Sequence, residues 1–149
     1  MKKIILTWAV ALTVGLSSAF ANTEGGIDKN TIASFKKEFV SASNVSWNTE
    51  TVYAKATFTI NDQVMFAYYS RETNELIAVA RNLSSRQLPI HLFTSLKTEC
   101  NGYWISSIFE IAKQDHTSYY ATLENSEETV IMEAIGTSDW HVYKKTKKS

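Results

Sequence analysis

VYAKATFTINDQVMFAYY, residues 52–69, alternates with a period of two and turns back on itself near its middle. Val52, Ala54, Ala56, Phe58 and Ile60 recur at every second position, with Tyr53, Lys55, Thr57 and Thr59 between them. Successive side chains of an extended chain point to opposite faces, so this spacing predicts a strand with an apolar face and a mixed one. Asn61, Asp62 and Gln63 read as a hairpin turn, because Asn and Asp tolerate a left-handed backbone and bond their own main chain. Residues 64–69 then return as a second strand, built from the β-branched and aromatic types that strands favour.

Working outward, Val45 and Trp47 form a short strand ahead of this hairpin, while residues 71–75 turn and 76–80 complete a meander. Further upstream the period changes. Asp28 is a helix cap, and Ile32, Phe35 and Phe39 follow at helical spacing with Lys36, Lys37 and Glu38 on the remaining face. The downstream half has the same grammar. Ser84 and Gln87 fit a capping box and Pro89 a first helical position, two signals that place one helix start differently. Leu88, Leu92, Leu96 and Cys100 recur every four residues, with Phe93 beside them, and Asn101-Gly102 supplies the stop. Ile105, Phe109 and Ile111 then share one face of a strand. Tyr119, Ala121 and Leu123 alternate with Tyr120, Thr122 and Glu124, and strands at 129–135 and 140–144 close a second meander. The expected fold is α+β: two tandem helix-plus-antiparallel-meander units, 28–83 and 84–145, with the helices packed on one face of an antiparallel sheet. No proline- or serine-rich linker divides them, so residues 28–149 read as one domain.

The N-terminus obeys other rules. Lys2 and Lys3 precede an apolar run over residues 4–16, and Ala19-Phe20-Ala21 is an A-x-A cleavage signal. This pattern predicts a signal peptide over 1–21 and a polar, flexible leader over 22–27. The apolar run is shorter than the ~20 residues that cross a bilayer. The expected product is an exported protein, periplasmic or secreted, with no stable membrane insertion after cleavage. Cleavage would remove two of the 15 basic residues against 15 acidic ones, leaving a formal charge of about −2. That balance gives no general attraction to nucleic acid. Lys144, Lys145, Lys147 and Lys148 crowd the C-terminus and read as a solvated tail beyond an edge strand. Cys100 is the only cysteine, so no internal disulfide can form, and its place on the apolar stripe suggests a buried, inert thiol.

Motifs for chemistry are sparse. His91, His116 and His141 are widely spaced and match no ligand pattern, so no metal or cofactor is expected. No Gly-x-Ser-x-Gly elbow or glycine-rich phosphate loop occurs. The Glu127-Glu128 pair falls in a predicted turn, where both carboxylates would be solvated. Aromatic residues remain. Tyr53, Lys55, Tyr69, Tyr120 and Tyr143 are the candidate protein-binding face, with Trp47, Trp104 and Trp140 at strand ends. Rings displayed on a sheet give a partner large contact area at low side-chain entropy cost. The competing reading is that they simply pack the two halves.

The stretches FVSASNVSW (39–47), ATFTINDQVMFAYYS (56–70), Leu88-Pro89 and YYATLENSEETVIM (119–132) resemble the PepSY-like, beta-lactamase-inhibitor-like family of exported bacterial proteins. The resemblance spans residues 31–145. It implies helices on one face of an antiparallel sheet, an opposite face open to a protein, and no catalysis. No inhibitory residues carry over. The expected function is a non-catalytic binding module that presents a sheet face to an envelope or extracellular protein or peptide, inhibitor-like. The alternative is an envelope protein that binds a small molecule or metal.

Overall fold

Two left-handed residues set the register of the first half. In the computed structural model, which describes residues 26–149, Asn61 and Asp62 have φ of 49° and 61°. Positive φ at both central residues makes the tight hairpin turn whose twist matches that of the strands. It closes Ile60 against Gln63, and so sets Phe58 against Met65, Ala56 against Ala67 and Ala54 against Tyr69. The expected signal peptide, 1–21, and leader residues 22–25 lie outside the described residues.

The chain runs α1 (Lys29–Glu38), then β1 (Ser43–Thr49), β2 (Tyr53–Ile60), β3 (Gln63–Ser70) and β4 (Leu76–Asn82). A 3₁₀ turn (Ser85–Gln87) leads into α2 (Ile90–Glu99), followed by β5 (Trp104–Ala112), β6 (Thr117–Glu124), β7 (Glu128–Ile135) and β8 (His141–Lys147). The strands form one eight-stranded sheet in sequence order, every neighbouring pair antiparallel. The order of elements is thus a helix and four strands, followed by a second helix and four strands.

Both helices cover the same face. The registered row Phe58, Met65, Arg81, Glu110, Tyr119, Ala134 runs from β2 to β7. Directly opposed residues share a face, so this row joins the two helix-backed cores. At one end Phe35 of α1 packs with Ala56, Phe58, Ala67 and Tyr69. At the other, Leu92 and Leu96 of α2 pack with Ile108, Ala121, Leu123, Val130 and Met132. Each large apolar side chain buried here contributes about 1.5–3 kcal/mol. Midway along the row, Arg81 makes a two-pronged bond to Glu110, with Nε and Nη2 at 3.2 and 3.3 Å from its two oxygens. The pair straddles the β4–β5 seam. Asp28 caps α1 by accepting from the Asn30 N–H at 2.8 Å, and buried Thr31 donates to Asn74 at 2.9 Å. Trp140 pins the β7–β8 connection to α2 by donating its indole N–H to the Leu92 carbonyl at 3.0 Å.

Several details depart from the sequence reading. The two helix-start signals near residue 84 belong to different elements. Gln87 Oε1 accepts from the Ser84 N–H at 2.8 Å and closes the 3₁₀ turn, whereas Pro89 stands immediately before α2. Ile105 does not share a face with Phe109 and Ile111. A register shift between Ile105 and Ser107 intervenes, and a bulge moves every later side chain to the opposite face. Lys144, Lys145 and Lys147 are not a tail, because β8 continues through them and Lys148 still donates its N–H to the Glu127 carbonyl. Glu128 is likewise no solvated turn residue. Its side chain is 14% exposed, takes a hydrogen bond from the Tyr103 hydroxyl and pairs with Lys145 at 2.8 Å.

Candidate interaction surface

The face away from the helices is built by the alternate residues of the same strands. One registered row is Thr57, Phe66, Ala80, Ile111, Ser118, Ile135; another is Phe109, Tyr120, Glu133, His141. Lys55 opposes Tyr68, which opposes Ala78. Ala78, Ala80, Phe109 and Ile111 form a third apolar cluster here, with Phe66, Tyr68, Ile77 and Tyr120 packed against it. These four are 6–9% exposed although neither helix lies on this side. Ala78 and Ala80, short side chains between longer aromatic ones, form the floor of a trough in side-chain height and are shielded by the rings beside them.

The walls are two aromatic groups. On the β2–β3 side, Tyr53 meets Tyr68 edge to face with centroids 5.5 Å apart, and the Lys55 ammonium sits 5.2 Å from the Phe66 ring. On the β5–β8 side, Phe109 stacks on Tyr120 at 4.9 Å, and Tyr143 stands edge-on to Tyr120 at 5.6 Å. Each such ring pair adds about 0.5–1.5 kcal/mol beyond burial, so the walls are held firmly before anything binds.

Three polar groups on this face are bonded to one another. Tyr120 donates its hydroxyl to Glu133, whose other carboxylate oxygen lies 3.0 Å from His141 Nε2. Burial, and then the Glu133 carboxylate, push the Tyr120 phenol far above its ordinary range, so it stays protonated as a donor. Burial and then neighbouring Tyr53 raise Tyr68, and burial and then Glu50 raise Tyr53. At the rim, Lys148 reaches Glu124 at 2.7 Å and lies 5.0 Å from the ring of exposed Trp104.

Four of the five residues expected on this face stand here: Tyr53, Lys55, Tyr120 and Tyr143. Tyr69 does not. It is 0% exposed beneath α1, its ring 6.0 Å from Trp47 and its hydroxyl donating to Glu38 at 3.3 Å. The cause is turn length. A turn counted as Asn61-Asp62-Gln63 is one residue longer than the two-residue turn that forms, and a slip of one residue exchanges the faces of a strand. Phe66, Tyr68 and Phe109 belong to the face and were not among its expected members. The Asn-Asp pair, read as a two-residue hairpin turn, would have placed Tyr68 beside Lys55.

The other chemistry-bearing residues are scattered. His116 Nδ1 pairs with Asp115 at 2.8 Å in the β5–β6 turn, and His91 is exposed on α2. Among the described residues, no three of His, Cys, Asp and Glu gather as metal ligands. Cys100 ends α2, with burial and then Glu99 pushing its thiol up, away from the reactive thiolate. No described helix is long and apolar enough to cross a membrane.

No family model matches the chain, and no curated protein does. Solved structures do. A BLIP-like protein from Bacteroides fragilis superposes with a TM-score of 0.68 at 14% identity, over 80% of this chain and 85% of that one. A DUF2874 family protein from Bacteroides uniformis gives a TM-score of 0.70 at 12% identity, over 80% and 88%. A candidate periplasmic protein from Bacteroides eggerthii gives 0.70 at 10% identity, again over 80% and 88%. At such identities the shared property is the fold, an α+β architecture of the BLIP-like kind.

Proposed function

We propose that this chain is an exported, non-catalytic binding module of the PepSY-like type, which engages a protein or peptide of the envelope or exterior through the face opposite its helices. The observation that carries the reading is the aromatic trough. Tyr53, Phe66, Tyr68, Tyr120 and Tyr143 are all partly exposed there, around a floor of alanines. Prearranged rings bind at low entropy cost, and an apolar patch with polar rims is the usual composition of an interface core. Tyr120, Glu133 and His141 on this face are bonded to one another, which favours recognition over acid–base work. The BLIP-like neighbour and the candidate periplasmic one support an inhibitor-like role outside the cytoplasm, by analogy of fold.

Photo-crosslinking in the producing cell tests this. A benzophenone side chain placed at Lys55, Tyr143 or Val64 of the trough face should give a defined protein adduct. The same probe at Lys97 of α2 should give none. Adducts of equal yield from both faces, or none from the trough positions, would sink the proposal.

A further inference from the structure

Among the described residues the antiparallel sheet has two open edges, β1 and β8, and they are treated differently. β8 carries Lys144, Lys145 and Lys147 and is exposed along its length, a strand guarded by charge. β1, SNVSWNT, has no charged residue and no proline. Its ladder to β2 is in register from Ser46 to Thr49, and the Glu50 N–H donates to the Tyr53 carbonyl. Hydrogen-bonded pairs alternate along an antiparallel ladder, so Ser46 and Asn48 bond to β2 as Glu50 does. The main-chain groups of Trp47 and Thr49 therefore point away from the sheet.

Beside this edge, on the helix side, lies a groove of about 370 Å³ between α1 and β1. Ile32, Val40, Ala42, Val45 and Trp47 line it, with Lys36 at its border. Val40 is 83% exposed, an apolar side chain left in water at the mouth. Phe35 holds the Trp47 ring edge to face at 5.3 Å, so the floor is rigid.

We infer that β1 accepts an extended peptide as a ninth strand. The Trp47 and Thr49 main chain would pair with it, one apolar side chain would enter the groove, and a carboxylate would face Lys36. Strand addition takes its affinity from main-chain bonds and its selectivity from pockets for alternate side chains. Charge decides the occupant. Among the described residues Lys36 is the one charged residue lining the groove and no carboxylate stands there, so an acidic peptide is attracted. This edge is separate from the aromatic trough and does not depend on it.

The probe is an acetylated, amidated nonapeptide of alternating threonine and valine with a central leucine and a glutamate at each end. Amide hydrogen exchange is followed residue by residue. The expected result is exchange at Trp47 and Thr49 slowed about tenfold or more at saturation, with Asn48 unchanged. Lys36→Glu should weaken the peptide about tenfold. Thr49→Pro removes an outward N–H without touching the ladder to β2, and should abolish the effect in a folded protein. No slowing at these two amides up to millimolar peptide overturns the inference. So does slowing without peptide that grows with protein concentration, which would assign the edge to a second copy.

Discussion

Tyr68 and Tyr69 are neighbours in the chain and stand on opposite faces of the sheet. Tyr69 is sealed beneath α1 with its hydroxyl on Glu38, while Tyr68 lies edge-on to Tyr53 on the opposite, open face. Replacing Tyr69 by alanine empties a fully buried ring site and should cost about 3–5 kcal/mol, the range for large aromatic truncations. Tyr68→Ala removes a partly exposed ring and should cost markedly less. Urea unfolding of the two variants measures this, and equal losses would contradict the assignment of faces.

Trp140 ties the β7–β8 connection to α2 through one hydrogen bond. Trp140→Phe keeps most of the apolar volume and deletes the donor, leaving the Leu92 carbonyl without that partner. A loss of about 0.5–1.5 kcal/mol is expected, the net worth of one hydrogen bond, because that carbonyl lies within α2 and still accepts from the Ser95 hydroxyl at 3.3 Å. Thermal unfolding reads it out, and a loss within error of zero would show that the bond holds nothing.

Acid should release β8 first. Lys145 and then the Tyr103 hydroxyl hold the Glu128 carboxyl below its ordinary range, and Lys148 and then Ser106 do the same for Glu124. A carboxyl depressed in the folded state stabilises fully above its unfolded pKa of about 4.3, and that contribution fades as pH falls through the lower folded value. Amide exchange in β8 should therefore quicken below about pH 4 while β5 and β6 remain protected. Glu128→Gln should weaken this pH dependence; an unchanged profile would contradict the assignment.

Alkali acts through the phenols. Burial, then Glu38, raises Tyr69 far above the ordinary range, and burial, then Glu133, does the same for Tyr120. A phenol raised by folding contributes stability that is intact below its unfolded pKa of about 10 and is lost as pH climbs towards the folded value. Ultraviolet titration should show these two of the seven tyrosines ionising late, and together with unfolding. Tyr69→Phe should remove one late phenolate, and an unchanged titration curve would count against the assignment.

Much of this could be read from residue order because it is local. Period-two alternation over residues 52–60 predicts β2, and helical spacing of Ile32 and Phe35 predicts α1. The failures share one physical cause. A strand shows two equal faces, and which one meets a helix depends on a running count of residues that a single turn or bulge can shift. The Asn61-Asp62 turn misplaced Tyr69 in this way, and the bulge after Ile105 separated it from Phe109 and Ile111.

The trough was legible only in part for the same reason. Tyr53 and Lys55 follow from alternation within one strand, but Phe66, Tyr68 and Phe109 join them only through cross-strand register. Glu133 meets His141 because β7 and β8 pair, a contact across eight residues that no spacing rule marks as a site. What the sequence by itself determined is the alternating and helical stripes, the punctuation between them and a lone cysteine. Only the tertiary structure decided which stripe the helices cover and which rings share the open face, because register and twist arise from pairings between strands.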